Sequence, residues 1–431
     1  MGGVSGVTPG FRLWLRQFAI FHAMRHLLLL ALIAVAACGS DARPTAPEGA
    51  SAFRRFVAVG TGLTMGEQSG GVVYESQLAS WPARLAARVD APFRVPALKA
   101  PGCTPPLVAP LSLHRTLAGP VVDGAPGCSG RLGSDTLPAN NVAMAGATAW
   151  DALHTSPRSL VTQAASLDQT RYPLVLPSVQ SQVQAMQQQR PTLVGVELGA
   201  GEVMRAATSG LVVAGTSYTQ KTAWTLMPAA VFAPVFDSIA DSVRAIGVPA
   251  VFVGVPQLMS LPAWRSGDVL WQQRTGLASY GLTVATDCQG SANLINTVAV
   301  LPPLVAAARA SGTAQALSCA DRPGEADYVL TSADAALIAQ TITALNAAIK
   351  AAADQRQILY VDVPLFSSEI PFAAPAFTAA GMLGGDAPFG MATSLDGIQP
   401  SAFGHELVAD RIAAALNEKY RWAIPLPIRP Q

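Results

Sequence analysis

Charge is scarce in this chain. Only 13% of its 431 residues are charged, Lys and Arg (28) nearly balance Asp and Glu (27), and the formal net charge is +1. No basic run occurs outside the N-terminal segment, so nucleic acid is excluded as a partner, because such binding needs Lys and Arg to neutralise phosphates. Histidine is also sparse: there are five, and neither clustered His nor a C-x-x-C pair accompanies the cysteines. That removes the usual zinc ligand sets, and no metal or cofactor is expected. There is no internal repeat. The apolar run Leu27 to Ala37 is about a dozen residues, short of the roughly 20 that span a bilayer. What the chain has in quantity is apolar residues, 50% of the total. That share supports a sizeable core and argues against disorder.

The N-terminus reads as an export signal. Arg25 and His26 precede the apolar run, which ends in Val35-Ala36-Ala37-Cys38. A basic start, a short apolar core and small residues before a cut describe a secretory signal. Small residues followed directly by Cys resemble the bacterial lipobox, which implies diacylation of Cys38 and anchoring in the cell envelope, on the periplasmic or outer-membrane side. Gly39 after the Cys is compatible with outer-membrane sorting. Met24 stands immediately before the signal and offers a start of its own, which would leave residues 1–23 outside the protein. Residues 39–52 are small, polar and proline-bearing, a flexible tether with a reach of roughly 20 Å.

Removing Cys38 leaves Cys103, Cys128, Cys288 and Cys319, an even number in an oxidising compartment. Three pairings are open. The local ones, Cys103–Cys128 and Cys288–Cys319, are favoured because each closes a loop of about 25–30 residues, contributing near 3 kcal/mol by chain entropy.

Short apolar runs at Phe56–Val59, Leu193–Leu198, Ala250–Val255 and Ile358–Val363 alternate with helical patterns at Ser76–Arg88, Pro228–Ile246 and Ala333–Ala353. A last helix is expected over Ala402–Tyr420, with Ser401 as N-cap. This alternation predicts a three-layer α/β/α domain with a central parallel sheet, over about residues 53–425. Residues 95–140 and 257–330 interrupt it and read as long connections, each stapled by a disulfide.

Four blocks carry the chemistry. Gly60-Thr61-Gly62-Leu63 follows the first strand as a Gly-rich turn. Asn140-Asn141-Val142-Ala143-Met144-Ala145-Gly146 comes second, Gly199-Ala200-Gly201-Glu202 third, and Asp396-Gly397-Ile398-Gln399 fourth. In this order, across nearly the whole mature length, they resemble the blocks of the SGNH/GDSL hydrolases. Smaller agreements join them at Ser80-Trp81-Pro82, Pro101-Gly102-Cys103, Leu345-Asn346 and Tyr360-Val361-Asp362. The resemblance implies a flavodoxin-like fold and ester hydrolysis by Ser, His and Asp, with oxyanion donors on a Gly and an Asn.

The departures from that pattern set the functional expectation. The nucleophile position holds Gly62, preceded by Thr61 where the family has Asp. The Asn position holds Gly201, followed by Glu202, and the His position holds Gln399. Only Gly146 and Asp396 match. Loss of nucleophile or base costs about 10⁶ in rate in the serine-protease analogue, so serine-type hydrolysis is not expected. What is expected is a weakly polar cleft with a lone carboxylate, in a pseudo-hydrolase that binds an acyl chain, an acylated glycan or a protein partner. Two alternatives stand beside it, an ester hydrolase using substitute residues and a structural envelope protein. Among substitutes, Glu202 and Asp396 would form a carboxylate pair if close, whereas His405 reads as a surface or helix-terminal side chain. His114 and His154 lie away from the blocks. Oligomeric state is not legible.

Overall fold

Runs of Val, Ile, Leu and Phe without strict alternation form strands covered on both faces. The computed structural model describes residues 2–3, 49–121, 127–134, 136–163, 166–363 and 374–427. Cys38 and most of the tether lie outside them. The chain divides into two units, Met1–Ala46 and Pro47–Gln431, and all of the elements described here belong to the second.

Four strands appear where the sequence predicts them, with slightly different ends: β1 (Phe56–Gly60), β2 (Leu193–Glu197), β3 (Ala250–Val253) and β4 (Leu359–Val361). They pair in parallel in that spatial order. The second block adds a fifth extended segment. Residues 140–144 run parallel to the free edge of β1, where Ala58 N–H donates to Asn140 O and the N–H groups of Val142 and Met144 donate to Ala58 O and Gly60 O, all at 2.9 Å. The chain therefore goes one way from β1 to segment 140–144, then crosses to β2 on the other side. Such a reversal opens a crevice at the carboxyl ends of the strands on either side of it.

Five helices flank the sheet: α1 (Trp81–Ala87), α2 (Gln182–Gln188), α3 (Ala229–Ile246), α4 (Ser332–Gln355) and α5 (Ala402–Tyr420). Side chains alternate along a strand. Val57, Val59, Val194, Val196 and Phe252 accordingly share one cluster with α2, α3 and α4, while Phe56, Ala58, Leu193, Val251 and Val253 share another with α1 and α5. Gly195 is what lets Trp81 approach the strand closely, since a Cβ there would stand 2.7 Å from its Cη2. By length and composition α4 would pass for a membrane span. Its stripe Ile338, Ile342, Leu345 and Ile349 is buried in the core instead, at the spacing of an amphipathic helix.

Two expectations need correction. The single helix expected over Ser76–Arg88 is two, Tyr74–Leu78 and α1. Pro82 has no N–H for the carbonyl of Leu78, so it opens a new helix. Residues 257–330 are more than a connection. They form an antiparallel sheet of Trp264–Ser266, Leu294–Asn296 and Val329–Leu330, and a parallel pair of Leu282–Val284 with Gln315–Leu317. These elements carry their own apolar cluster, which includes Leu270, Leu282, Ile295, Leu301 and Phe389. The described residues of 95–140 contain two-residue strands and one short turn of helix.

Both favoured disulfides are present, Cys103–Cys128 and Cys288–Cys319, which takes these four thiols away from any metal. Cys288 and Cys319 sit fully buried inside the third cluster. Replacing both by Ser releases a loop of 31 residues and leaves two hydroxyls in an apolar site. A loss of about 3 to 5 kcal/mol is expected in denaturant titration, and an unchanged midpoint would contradict it.

Candidate active site

The turn after β1 is held from beneath. Glu197, the last residue of β2, is fully buried and accepts from Thr61 N (3.0 Å), Thr61 Oγ1 (2.8 Å), Thr64 N (3.3 Å) and Thr64 Oγ1 (3.1 Å). Burial still pushes its carboxyl up to about 7, against the pull of these donors. Both threonine hydroxyls are thereby committed to the turn and neither is free to attack. Trp81 Nε1 donates to Thr64 Oγ1 (3.1 Å), tying α1 to the same point.

Beyond the turn, Gly62–Met65 makes one turn of helix that ends at Gly66 with φ 89°, a left-handed conformation suited to Gly. The chain then folds back, and the N–H groups of Gly66 and Glu67 both donate to Gly62 O, at 3.0 and 2.8 Å. This return brings Glu67 over Gly62. A Cβ built on Gly62 would overlap Glu67 Oε2 and lie 3.3 Å from Gln399 Nε2. The space where the SGNH pattern would place a serine side chain is therefore taken by a carboxylate, with the Gln399 amide beside it.

The four blocks meet in one cleft of about 340 Å³. Thr61, Gly62, Gly146, Gly201, Asp396 and Gln399 all line it, joined by Glu67, Asp168, Arg171 and Arg205. The expected weakly polar cleft with one carboxylate is thus corrected: it carries three carboxylates and two guanidiniums. Position 67 carries a signal in hindsight, because a one-turn helix closed by Gly66 must return the next residue to its start. Asp168, Arg171 and Arg205 carry none, since helical residues outside every block reach the cleft only through packing.

Asp396 is buried and serves the backbone. Its Oδ1 accepts from the N–H groups of Ile398 and Gln399 (both 2.8 Å) and its Oδ2 from Gly70 N–H (2.7 Å). Burial raises its pKa in spite of these bonds. Glu67 sits deep among protein atoms yet still meets solvent in the cleft, and no described residue donates to its carboxylate. Burial, then repulsion from Asp396, pushes its pKa up to about 7, partly countered by Arg171. Arg171 donates to Ala145 O and lies 3.7 Å from Asp168 Oδ1.

The pairing of Glu202 with Asp396 is not found. Glu202 is fully buried, and its Oε1 accepts from Ala149 N (2.7 Å) and Tyr218 Oη (2.8 Å). Burial pushes it up to about 7. The carboxylate that senses Asp396 is Glu67. His405 is indeed in the first turn of α5, but it is completely buried and not on the surface. Burial pushes its pKa down to about 3, and it does not line the cleft. His114 and His154 are likewise outside it. Gly201 has backbone on its open side: a Cβ there would overlap Ala147 O and stand 2.9 Å from Thr148 N.

Four blocks dispersed over the chain meet at the carboxyl ends of β1, β2 and segment 140–144, on a five-segment parallel sheet with the flavodoxin-like order. The arrangement resembles that of the SGNH hydrolases. No family model matches the chain, and no curated protein does either. Among solved structures it is similar to an extracellular lipase from Streptomyces rimosus (12% identity, 84% of this chain and 98% of that one, TM-score 0.35). It is also similar to an acetylxylan esterase, Axe2, from Geobacillus stearothermophilus (11%, 87% and 96%, TM-score 0.34) and to a phospholipase A1 from Streptomyces albidoflavus (13%, 84% and 98%, TM-score 0.33). Likenesses at these scores carry no argument about chemistry. The SGNH resemblance rests on the four blocks and their convergence. A groove of about 740 Å³ beside the helix Leu167–Val175 is larger than the cleft, but none of the blocks reaches it.

Proposed function

We propose that this protein is an exported lipoprotein, anchored through acylated Cys38, whose SGNH-type cleft binds an acyl-bearing ligand such as an acyl chain or acylated glycan, with no serine route to an acyl-enzyme. One observation carries the reading: Gly62 stands at the nucleophile's place, and Glu67 Oε2 fills the space a serine side chain would need. A nucleophile there would have to displace a carboxylate. The ligand class follows from the walls. Gly62, Ala145, Gly146, Ala200 and Gly201 leave backbone close to the cleft, and the N–H groups of Gly62 and Gly146 have no acceptor among the described residues. Such donors suit a carbonyl or carboxylate oxygen.

The test uses soluble residues 39–431 with Cys38 left out. A fluorophosphonate probe, which reports activated serine, should leave the protein unlabelled. Calorimetry with short-chain esters and acetylated oligosaccharides should show binding. Labelling that maps to a hydroxyl in the cleft would overturn the loss of the serine route, and absence of binding to every ester would overturn the ligand class.

A further inference from the structure

Glu67 is a titratable group that the family's serine mechanism has no use for, seated where that mechanism would begin. Its carboxylate occupies the space in front of Gly62, borders the Gln399 amide, and accepts no hydrogen bond from any described residue. Beside it the cleft keeps two backbone donors. Gly62 N–H lies at the start of the one-turn helix, and Gly146, at φ 77°, has nothing within 4 Å of the place a Cβ would occupy. Glu67, Gly62 and Gly146 line one small cavity, and neither glycine N–H has an acceptor among the described residues.

We propose that Glu67 acts as a general base in place of the missing serine, activating a water molecule against an ester carbonyl held on the N–H groups of Gly62 and Gly146. The water oxygen bonds to the acyl carbon while its proton passes to Glu67. The carbonyl π pair moves onto the oxygen, where the two N–H groups stabilise it. When the tetrahedral species collapses, the bond from carbon to the alkoxy oxygen breaks and the proton on Glu67 goes to the departing alcohol. Carboxylic acid and alcohol leave, and Glu67 returns to its starting state. No acyl-enzyme forms, so neither serine nor histidine is needed. The inference rests on the binding reading above, since the ester must first occupy the cleft.

Besides burial, two charged groups bear on the ionisation of Glu67. Asp396, on the loop before α5, opposes its ionisation, and Arg171, on the helix Leu167–Val175, favours it. His405 of α5 meets the Glu67 backbone and stays neutral above about pH 3. With the carboxyl near 7, the ionised base accumulates through neutrality, and such matching of base to operating pH is what general-base catalysis favours.

The experiment is hydrolysis of 4-nitrophenyl acetate and of an acetylated xylose by residues 39–431, from pH 5 to 9. The expected result is slow turnover without a burst, resistant to fluorophosphonate, rising through about pH 7 to a plateau. Glu67→Gln should lose about 100-fold while keeping its ester affinity in calorimetry. If Glu67→Gln does not fold, Glu67→Asp serves, and its shorter carboxylate should cost at least about tenfold in kcat. Turnover unchanged in either folded variant overturns the proposal. So does a wild type that binds ester and never hydrolyses it, which would leave the binding reading intact. A wild type that binds no ester sinks both.

Discussion

Placing the SGNH pattern's side chains at Gly62, Gly201 and Gln399 is expected to destabilise the protein severely instead of yielding a serine hydrolase. The obstacle is Gly201. Its Cβ would meet the carbonyl of Ala147 and the nitrogen of Thr148, and backbone packed beneath a helix start has no room to yield. Overlap of this kind costs several kcal/mol, a large part of the roughly 5–15 kcal/mol that stabilises a domain. Gly201→Asn alone should therefore lower the thermal midpoint by 10 °C or more, to order of magnitude. A midpoint equal to wild type would show that the close approach of Ala147 does not exist in solution.

The other two positions tolerate change, with a condition. Gly62→Ser with Gln399→His should fold but stay unlabelled by fluorophosphonate, because Glu67 Oε2 holds the serine's space. Adding Glu67→Ala clears it, and labelling should appear only in that triple variant. Labelling of the double variant would mean that Glu67 swings aside freely, which would also weaken its standing as a positioned base.

Stability is expected to be greater near pH 5 than near pH 7.5. Glu67, Glu197 and Glu202 are each pushed up to about 7 from an ordinary 4.5, chiefly by burial. Between those values the folded chain holds more protons than the unfolded one. Each group's contribution is then complete below about pH 4.5 and is lost as pH rises toward 7. His405 works in the opposite sense. Its folded value near 3 lies below the ordinary 6.5, so its contribution is present above 6.5 and declines as pH falls. Among these four groups the net excess is at most about two protons in the window, at about 1.4 kcal/mol per proton per pH unit. Thermal unfolding at a series of pH values tests this, and a midpoint that climbs from pH 5 to 7.5 contradicts it. Glu202→Gln sharpens the test. The amide keeps an acceptor for Ala149 N and Tyr218 Oη, and Glu202 Oε2 has no partner of its own to lose. That variant should show a shallower pH dependence by about one proton.

The sequence by itself determined the sheet, the covering helices and the absence of the SGNH pattern's side chains at Gly62, Gly201 and Gln399. These rest on local physics. Apolar β-branched runs between helical repeats leave few arrangements other than a covered parallel sheet, Ser401 caps α5 through its hydroxyl to Gly404 N–H, and a Gly has no hydroxyl wherever it sits. Cysteine spacing was local enough to single out both disulfides. Segment 140–144 was legible as a block but not as a strand, because its pairing to β1 comes from partners far away in the chain. What stands in front of Gly62 was decided only by the tertiary structure. Glu67 faces Gly62 because Gly66 turns the chain back, and its proton affinity depends on burial and on Asp396 and Arg171, which arrive from distant elements. How far Glu202 lies from Asp396 is not legible in the sequence. Glu202 is committed to Ala149 and Tyr218 on another wall, since where a carboxylate points is set by the donors that packing brings to it.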